Sequence, residues 1–196
     1  MKALAAECQG MSRDTVRPAR VDDYEDVVAF TEDTWADRDD AGDYVPDVFH
    51  DWVESDGPTQ RTVVVERDGD VAGLCQGLLL TDHEAWLQGM RVNPDYRGAD
   101  VGQLLDEDLF DWAVEGGATV ARNIVFSWND AGLGQSLAAG FDPRCSFRWA
   151  HPTPRETTPA DRVGADPAAA WSYWTRSDAR TALSGLNLHP GESWAV

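Results

Sequence analysis

Hydrophobic and polar positions along the chain follow two periods, which predict an ordered succession of strands and helices. Apolar residues spaced three and four apart predict helices over 24–31, 46–53, 101–114 and 129–139. Runs of apolar and β-branched residues predict strands at 15–19, 61–67, 71–80, 85–92 and 119–126, and a last strand from Phe141 with 145–150. The pattern therefore predicts an α+β (α/β) domain built around one sheet.

Short polar turns organise the middle of the chain. Asp68-Gly69-Asp70 and Asp82-His83 separate three consecutive strands, which predicts an antiparallel meander. Gly73 and Gly77 lie inside the second of these strands, where glycine indicates either a bulge or a close backbone approach. Asp22 precedes the first helical run and is predicted to cap it.

The pattern divides the chain into three parts. Residues 1–14 are expected to be a flexible N-terminus, and 15–150 carry the folded domain. Residues 151–196 begin as a linker rich in proline and threonine and continue into an extension with candidate helices at 168–174 and 179–186. The extension is interpreted either as a truncated second unit or as an arm that packs on a second subunit in a homodimer.

The net charge of the chain limits the classes of macromolecule that it is expected to bind. Asp and Glu number 35 against 16 Lys and Arg, a net charge of -19, and Lys2 is the only lysine. Such a surface repels nucleic acid and anionic membranes, so neither is expected as a partner. A composition rich in Asp and nearly free of lysine resembles that of proteins from extreme halophiles, in which salt screens the repulsion between carboxylates.

Cysteine and histidine usage excludes several other classes of site. Cys8, Cys75 and Cys145 are odd in number and lack CxxC spacing, which favours neither a disulfide framework nor a zinc site. No histidine pair has metal-ligand spacing, so no metal is expected. The sequence has no apolar run of about 18 residues, as a membrane span requires. A cytoplasmic location is the expectation.

A loop of small and polar residues at 93–100 joins a predicted strand to the helix that begins at Val101. Small residues let successive backbone N–H groups point to one side, and the helix N-terminus that follows favours an anion. A diphosphate is a ligand of matching charge. The alternative is a tight turn that only caps the helix. The sequence contains neither a Gly-Lys-Ser/Thr phosphate loop nor a dinucleotide fingerprint.

These residues resemble the GNAT superfamily of N-acetyltransferases over about 15–150. The resemblance rests on a loop motif and on a second anchor farther along the chain: Val92, Pro94, Tyr96, Arg97 and Gly102, then Asn129 with Gly140-Phe141. It implies a mixed central sheet with an antiparallel meander, flanked by helices, splayed between its fourth and fifth strands and followed here by a helical extension. It also implies an acetyl-CoA-dependent N-acetyltransferase that acts directly on a primary amine of a small molecule or peptide.

The resemblance assigns residues to acetyl-CoA, the acyl donor. It places the diphosphate against the loop and the start of the helix, at Arg97, Gly98, Ala99, Asp100, Val101 and Gly102, and adds Asn129 to this cofactor site. It also implies that the acyl-pantetheine arm pairs as an added strand with backbone groups of Met90, Arg91 and Val92.

Three positions depart from the family pattern. Asp100 replaces a glycine and adds negative charge beside the diphosphate. Gln88 stands where many members carry a glutamate base, and Ser136 stands where a tyrosine protonates the leaving thiolate. Glu84, on the same strand face as Gln88, is a candidate base, although a solvated carboxylate is the alternative; His83 is a weaker candidate base, and Ser136 is a weak candidate acid. These departures leave open a catalytically degenerate CoA-binding or interaction module.

Tryptophans on the predicted acceptor side have two interpretations. Trp35 and Trp52 lie in or near the two early helices, and Trp86 lies on the strand before the loop. They either line an apolar pocket for the amine acceptor or pack the core.

The halophile-like composition predicts that the folded state depends on salt. We expect thermal stability to fall steadily as KCl is lowered from molar to millimolar concentration, because repulsion between the carboxylates is screened only at high salt. Unfolding transitions measured by circular dichroism across a KCl series test this. Full stability in dilute buffer would contradict it.

Overall fold

The computed structural model describes residues 14–35, 42–144 and 166–176. The chain divides into two compact units, Met1–Phe141 and Asp142–Val196. Several sequence predictions lie outside the described residues: the N-terminal segment 1–13, the strand at 145–150, the linker over 151–165 and the helix at 179–186.

The first unit contains one five-stranded sheet in the order β1-β2-β3-β4-β5. Its strands are β1 Asp14–Pro18, β2 Gln60–Arg67, β3 Asp70–Thr81, β4 Glu84–Val92 and β5 Val120–Arg122. Neighbouring strands are antiparallel except β4 and β5, which run parallel. The predicted meander and mixed sheet are confirmed.

Helices cover both faces of this sheet. They are α1 Tyr24–Thr31, α2 Val45–Ser55, α3 Val101–Glu115 and α4 Asp130–Ala138. On one face α1 and α2 enclose Val27, Val45, Phe49, Val64 and Leu74. On the other face, α3 packs through Val101, Leu105, Leu109 and Ala113 against Val63, Val65 and Cys75. Burial of these two apolar clusters is the main favourable contribution to folding.

The predicted cap of the first helix was wrong: Asp23 holds the N-cap position of α1, and its side chain makes no capping hydrogen bond to that helix. Asp23, not Asp22, is buried at this point, and its Oδ2 accepts a hydrogen bond of 2.7 Å from the backbone N–H of Arg20. Both carboxylate oxygens of Asp23 also accept hydrogen bonds from the Arg17 guanidinium at 2.8 Å. The ion pair with β1 favours Asp23 as the residue that turns inward.

Of the two roles predicted for Gly73 and Gly77, the structure shows a close approach of a neighbouring helix to the strand. A Cβ at Gly73 would lie 2.8 Å from Cγ1 of Val101, and one at Gly77 would lie 2.9 Å from Cζ3 of Trp112. Both glycines therefore let α3 lie directly against the middle of β3.

The fifth strand is shorter than predicted. The apolar run suggested 119–126, but β5 covers only Val120–Arg122. Beyond Arg122, the side-chain amide of Asn123 donates a hydrogen bond of 2.9 Å to Ser136 Oγ on α4. An apolar run specifies a strand only where a neighbouring strand is available to pair with it.

The second unit contributes one described helix, α5 Pro167–Arg176, which confirms the helix predicted at 168–174. Asp166 Oδ1 accepts a hydrogen bond of 2.9 Å from the N–H of Ala168 at its start. None of the helices in the described ranges is both long and apolar enough to cross a membrane.

Candidate functional site

The loop between β4 and α3 is held in place by contacts from the meander. Tyr96 Oη donates a hydrogen bond of 2.7 Å to Asp70, and Arg67 Nη2 donates one of 2.9 Å to the carbonyl of Ala99. Asn93 Oδ1 accepts a hydrogen bond of 3.1 Å from the N–H of Asp95. The loop is therefore fixed by the same strands that form the core.

Two residues of the loop adopt left-handed backbone conformations, Gly98 at φ 76° and Asp100 at φ 59°. Asp100 directly precedes α3, and its side chain makes no capping hydrogen bond. The first intrahelical bond runs from the N–H of Leu104 to the carbonyl of Asp100, so the amides of the preceding turn are the orphan donors of the helix. The left-handed conformation is the physical reason that a glycine is expected at position 100.

Strands β4 and β5 separate immediately beside this loop. They pair only at Glu84↔Val120, Ala85↔Ala121 and Trp86↔Arg122. From Leu87 to Val92, β4 has no partner in β5, so its backbone groups on that side face an opening. The splay implied by the family resemblance is present.

A bulge interrupts β4 inside the opening. The pairing of β3 with β4 shifts register between Leu74 and Gln76, opposite Gly89, which has φ 65°. A Cβ at Gly89 would lie 2.4 Å from Cη2 of Trp52. Sequence analysis missed this position, although an isolated glycine inside a strand is a usual signal of a bulge.

A cavity of about 790 Å³ occupies the opening and extends to the start of α3. This volume lies in the range of small-molecule sites. It brings together most of the residues predicted for the cofactor: Met90, Arg91, Val92, Arg97, Gly98, Asp100, Val101, Gly102 and Asn129. Ser136 also lines it, whereas Ala99 and Glu84 do not. Asp100 is exposed to solvent, and the cavity beside it is open.

One face of the cavity is aromatic. Trp35 and Phe126 rings pack edge to face at 5.8 Å, and Phe126 stacks on Trp128 at 5.1 Å. Trp35 and Trp86 line the cavity, while Trp52 packs against the core cluster of α1 and α2. Trp35 and Trp86 thus match the interpretation as pocket residues, and Trp52 matches the interpretation as a core residue.

A buried ion pair supports this aromatic face. The Arg91 guanidinium donates hydrogen bonds of 2.5 and 2.9 Å to Asp43 and lies 4.4 Å from the ring centre of Trp35. It also lies 5.5 Å from the ring centre of Tyr44, whose pKa burial raises. The Arg91 side chain is therefore engaged on the side of α1 and α2.

The Gln88 amide is held in a chain of polar side chains. Its Nε2 donates a hydrogen bond of 2.6 Å to Gln76 Oε1, and its Oε1 accepts one of 3.1 Å from Trp86. Gln76 in turn donates to Thr62 at 3.3 Å. Gln88 therefore lines the cavity with a fixed orientation and has no proton-accepting carboxylate.

The two candidate catalytic residues lie apart. Glu84 lies at the paired end of β4, where it forms an ion pair with Arg122. Ser136 is buried on α4 and accepts the hydrogen bond from Asn123. His83 is exposed in the turn between β3 and β4. Asn129 Oδ1 accepts a hydrogen bond of 3.0 Å from the N–H of Gly132 and so caps α4. The role of Glu84 as a base stays a prediction.

Asp106 is a cavity residue that sequence analysis missed. It lies on the buried side of α3 and is 3% exposed. Its Oδ2 accepts a hydrogen bond of 3.1 Å from Gln135 Nε2 on α4. Burial raises the pKa of Asp106 to about 6, and the Gln135 hydrogen bond opposes the shift. The signal was an acidic residue four positions after Gly102 on the buried side of a helix.

No metal-binding cluster of three or more His, Cys, Asp or Glu occurs within the described ranges. The polar side chains that line the cavity are instead amides, hydroxyls, the guanidinium groups of Arg91 and Arg97, and the carboxyl groups of Asp100 and Asp106. This set suits an organic ligand with an anionic end.

Comparison with known protein families gives a match over more than half of the chain. The model of the "Acetyltransferase (GNAT) family" matches residues 24–134. A Bacillus subtilis (strain 168) protein named as a ribosomal protein bS18-alanine N-acetyltransferase is 36% identical over 67 residues, which are 34% of this chain and 40% of the relative. The matched segment thus spans less than half of that curated relative.

Solved structures share the fold at low sequence identity. A PaiA N-acetyltransferase from Thermoplasma acidophilum in complex with coenzyme A has a TM-score of 0.62 and 13% identity, covering 69% of this chain and 93% of that one. The aminoglycoside acetyltransferase AAC(6')-Iy with a CoA bisubstrate analogue has a TM-score of 0.56 and 18% identity, with coverages of 71% and 99%. The Escherichia coli ribosomal-protein-S18-alanine N-acetyltransferase has a TM-score of 0.54 and 20% identity, with coverages of 68% and 80%.

The raised pKa of Asp106 predicts a pH-dependent stability difference. Its folded-state pKa of about 6 exceeds the usual 3.8, so the folded protein binds this proton more tightly than the unfolded chain. The group therefore costs stability increasingly as pH rises from about 4 through 6. We expect Asp106→Asn to be more stable than the parent by about 2 to 3 kcal/mol at pH 7.5 and nearly equal at pH 4.

Chemical denaturation at constant KCl measures this difference. Asp111→Asn is the matched control, because Asp111 lies on the same helix and is exposed. A stability difference for Asp106→Asn that does not change between pH 4 and pH 7.5 would contradict the prediction.

Proposed function

Because this chain belongs to the GNAT family of acetyltransferases, we propose that it is an acetyl-CoA-dependent N-acetyltransferase that transfers an acyl group directly to a primary amine. The observation that carries the proposal is the continuous cavity from the N-terminus of α3 into the gap between β4 and β5. A ligand with an anionic end and an extended amide-bearing arm matches both parts of that cavity.

The N-terminal turn of α3 is the proposed diphosphate site. Its orphan N–H groups follow the left-handed residues Gly98 and Asp100, and Arg97 is exposed beside them with its guanidinium available to an anion. Arg67 and Tyr96 already anchor this loop before a ligand binds. The loop therefore loses less conformational entropy on binding.

The unpaired edge of β4 is the proposed site of the pantetheine arm. Backbone groups of Met90, Arg91 and Val92 have no partner in β5 and are suited to pairing with amides of an extended ligand. The bulge at Gly89 turns the backbone at the end of this edge, where a preorganised N–H is able to stabilise negative charge on a carbonyl oxygen.

The aromatic face is the proposed acceptor side. Trp35, Tyr44, Trp86 and Phe126 line the cavity there, on the side of α1 and α2. We propose a small-molecule or peptide amine as the acceptor. Positioning such an amine against the thioester supplies a large part of the rate without covalent catalysis.

A second candidate function is a CoA-binding module that does not catalyse transfer. Gln88 and Ser136 favour it, because neither side chain is an effective base or acid, and Glu84 is paired with Arg122 outside the cavity lining. We further propose a cytoplasmic, salt-adapted protein, with the domain at 15–150 as the transferase and 151–196 as the dimerisation arm or second unit.

Thiol release from acetyl-CoA in molar KCl tests the two functions. With a panel of alkyl, aromatic and peptide amines, we expect amine-dependent release together with saturable CoA binding by calorimetry. Binding without release for the whole panel would favour the module, and no binding would exclude both. Glu84→Gln is informative in the same assay, because a base at Glu84 requires loss of kcat, whereas a structural ion pair does not.

Asp100 is predicted to weaken binding of the diphosphate. We expect Asp100→Asn to bind CoA about threefold more tightly at 0.3 M KCl, because it removes one negative charge near the ligand, and the gain to shrink at 2 M KCl as screening increases. Asn also tolerates the left-handed conformation, so the change isolates charge.

Asp100→Gly extends this test. It removes the same charge and also relieves a backbone conformation that costs about 1 kcal/mol in a residue with a side chain. We expect it to match Asp100→Asn in CoA affinity and to exceed it in stability. Unchanged or weaker CoA affinity in both variants would place the diphosphate elsewhere.

A further inference from the structure

The Asp106 carboxyl lies on the side of the sheet occupied by α3 and α4, at the level where β4 leaves β5. Cys75 provides the reference point: its Sγ lies 3.3 Å from the carbonyl oxygen of Gln88, and its pKa is raised first by burial and then by the charge of Asp106. Gln88 is two residues beyond Trp86, the last residue of β4 that pairs with β5. Asp106 is therefore placed beside the inner end of the gap.

The described hydrogen-bond partner of the Asp106 carboxyl is a neutral side chain of α4. Gln135 of α4 donates its hydrogen bond and also packs on Gly102, where a Cβ would lie 2.8 Å from the Gln135 side chain. Cys75 of β3 is the nearby titratable group, and the cavity is lined further by Ser136 and Asn123. No arginine forms an ion pair with Asp106 among the residues with described positions.

A carboxyl in such a place is unfavourable for folding. Its position on α3 lies among Leu105, Leu109 and Ala113, where an apolar side chain would pack without a desolvation cost. Residues that break the local pattern at a cost in stability concentrate at functional sites. The Asp106 side chain also lines the cavity, so the carboxyl that lowers folding stability is one that faces the proposed ligand.

We infer that Asp106 is the proton donor to the leaving sulfur in the transfer reaction, an inference that rests on the proposed function. The amine nitrogen forms the new bond to the carbonyl carbon, and the carbon–sulfur bond breaks with its electron pair on sulfur. The Asp106 carboxyl gives its proton to that sulfur and becomes a carboxylate. The nitrogen loses its proton to water, and Asp106 takes one back from solvent.

The position of Asp106 favours the sulfur over the amine as its partner. Of the aromatic residues proposed for the acceptor, Trp35 follows α1 and Tyr44 precedes α2, and the Arg91 guanidinium that pairs with Asp43 lies over both rings. Asp106 is a buried residue of α3, the helix that packs with Cys75 on the other face of the sheet. Ser136, the weak candidate acid, follows Gln135 in sequence and accepts a hydrogen bond from Asn123. Because Gln135 is also the partner of Asp106, the Asp106 carboxyl supplies an acidic group in the same part of the cavity.

Proton uptake on CoA binding tests this without catalysis. Calorimetry of CoA binding at pH 6.5, in two buffers with different ionisation enthalpies, measures the number of protons taken up. We expect the parent protein to take up about half a proton more than Asp106→Asn, because a bound thiol displaces water from the carboxyl and favours its protonated form. Asp111→Asn, on the same helix and exposed, is expected to behave like the parent.

Kinetics separate proton donation from a structural role. Asn at position 106 is able to accept the Gln135 hydrogen bond, so a merely structural Asp106 predicts unchanged turnover. We expect Asp106→Asn to lower kcat about 100-fold with little change in KM. In the parent protein kcat is expected to fall as pH rises through the pKa of this carboxyl, and in Asp106→Asn this pH dependence is expected to be absent. An acetyl thioester of a more acidic thiol is expected to restore most of the lost rate.

The outcomes are distinguishable. If the parent protein neither binds CoA nor releases thiol, the proposed function fails and this inference falls with it. If the parent is active and Asp106→Asn keeps its proton uptake and kcat, only the inference is overturned. A kcat that rises with pH through the same group, with no rescue by the better leaving group, would assign Asp106 as a base and also overturn it.

Discussion

The separation of β4 from β5 is the constraint on which the rest of the site depends. Three residue pairs join the strands, and beyond Trp86↔Arg122 the backbone of β4 has no partner in β5. Unpaired backbone groups inside a protein need water or a ligand to satisfy them. The sheet can remain open there because β5 is diverted by the Asn123 contact with α4, while β4 is held from its other edge by β3.

The open strand edge suits the proposed binding site because charge and shape are arranged around it. At one end, the loop is tied to the meander by Arg67 and Tyr96 and presents the N-terminus of α3. At the other, aromatic rings supported by the pair of Arg91 with Asp43 form an apolar face. This arrangement would orient the proposed ligand, anionic at one end and reactive at the other, along the gap.

Two aspartates show how the site departs from a merely stable arrangement. Asp100 occupies a left-handed position where glycine costs nothing, and Asp106 occupies a buried helix position suited to an apolar side chain. In a chain of net charge -19, acidic residues are frequent, but these two line the same cavity. Stability alone explains neither, whereas proton transfer explains the buried one.

The sequence by itself determined the order of elements, the meander and the position of the loop before α3, because hydrophobic period and turn residues are local properties. Most of the cofactor residues that the family resemblance implied line the cavity. Only the tertiary structure decided where β5 ends, that Glu84 pairs with Arg122, and that Asp106 faces the cavity. Pairing partners and burial depend on residues distant in the chain, so the periodicity of a single segment does not contain them.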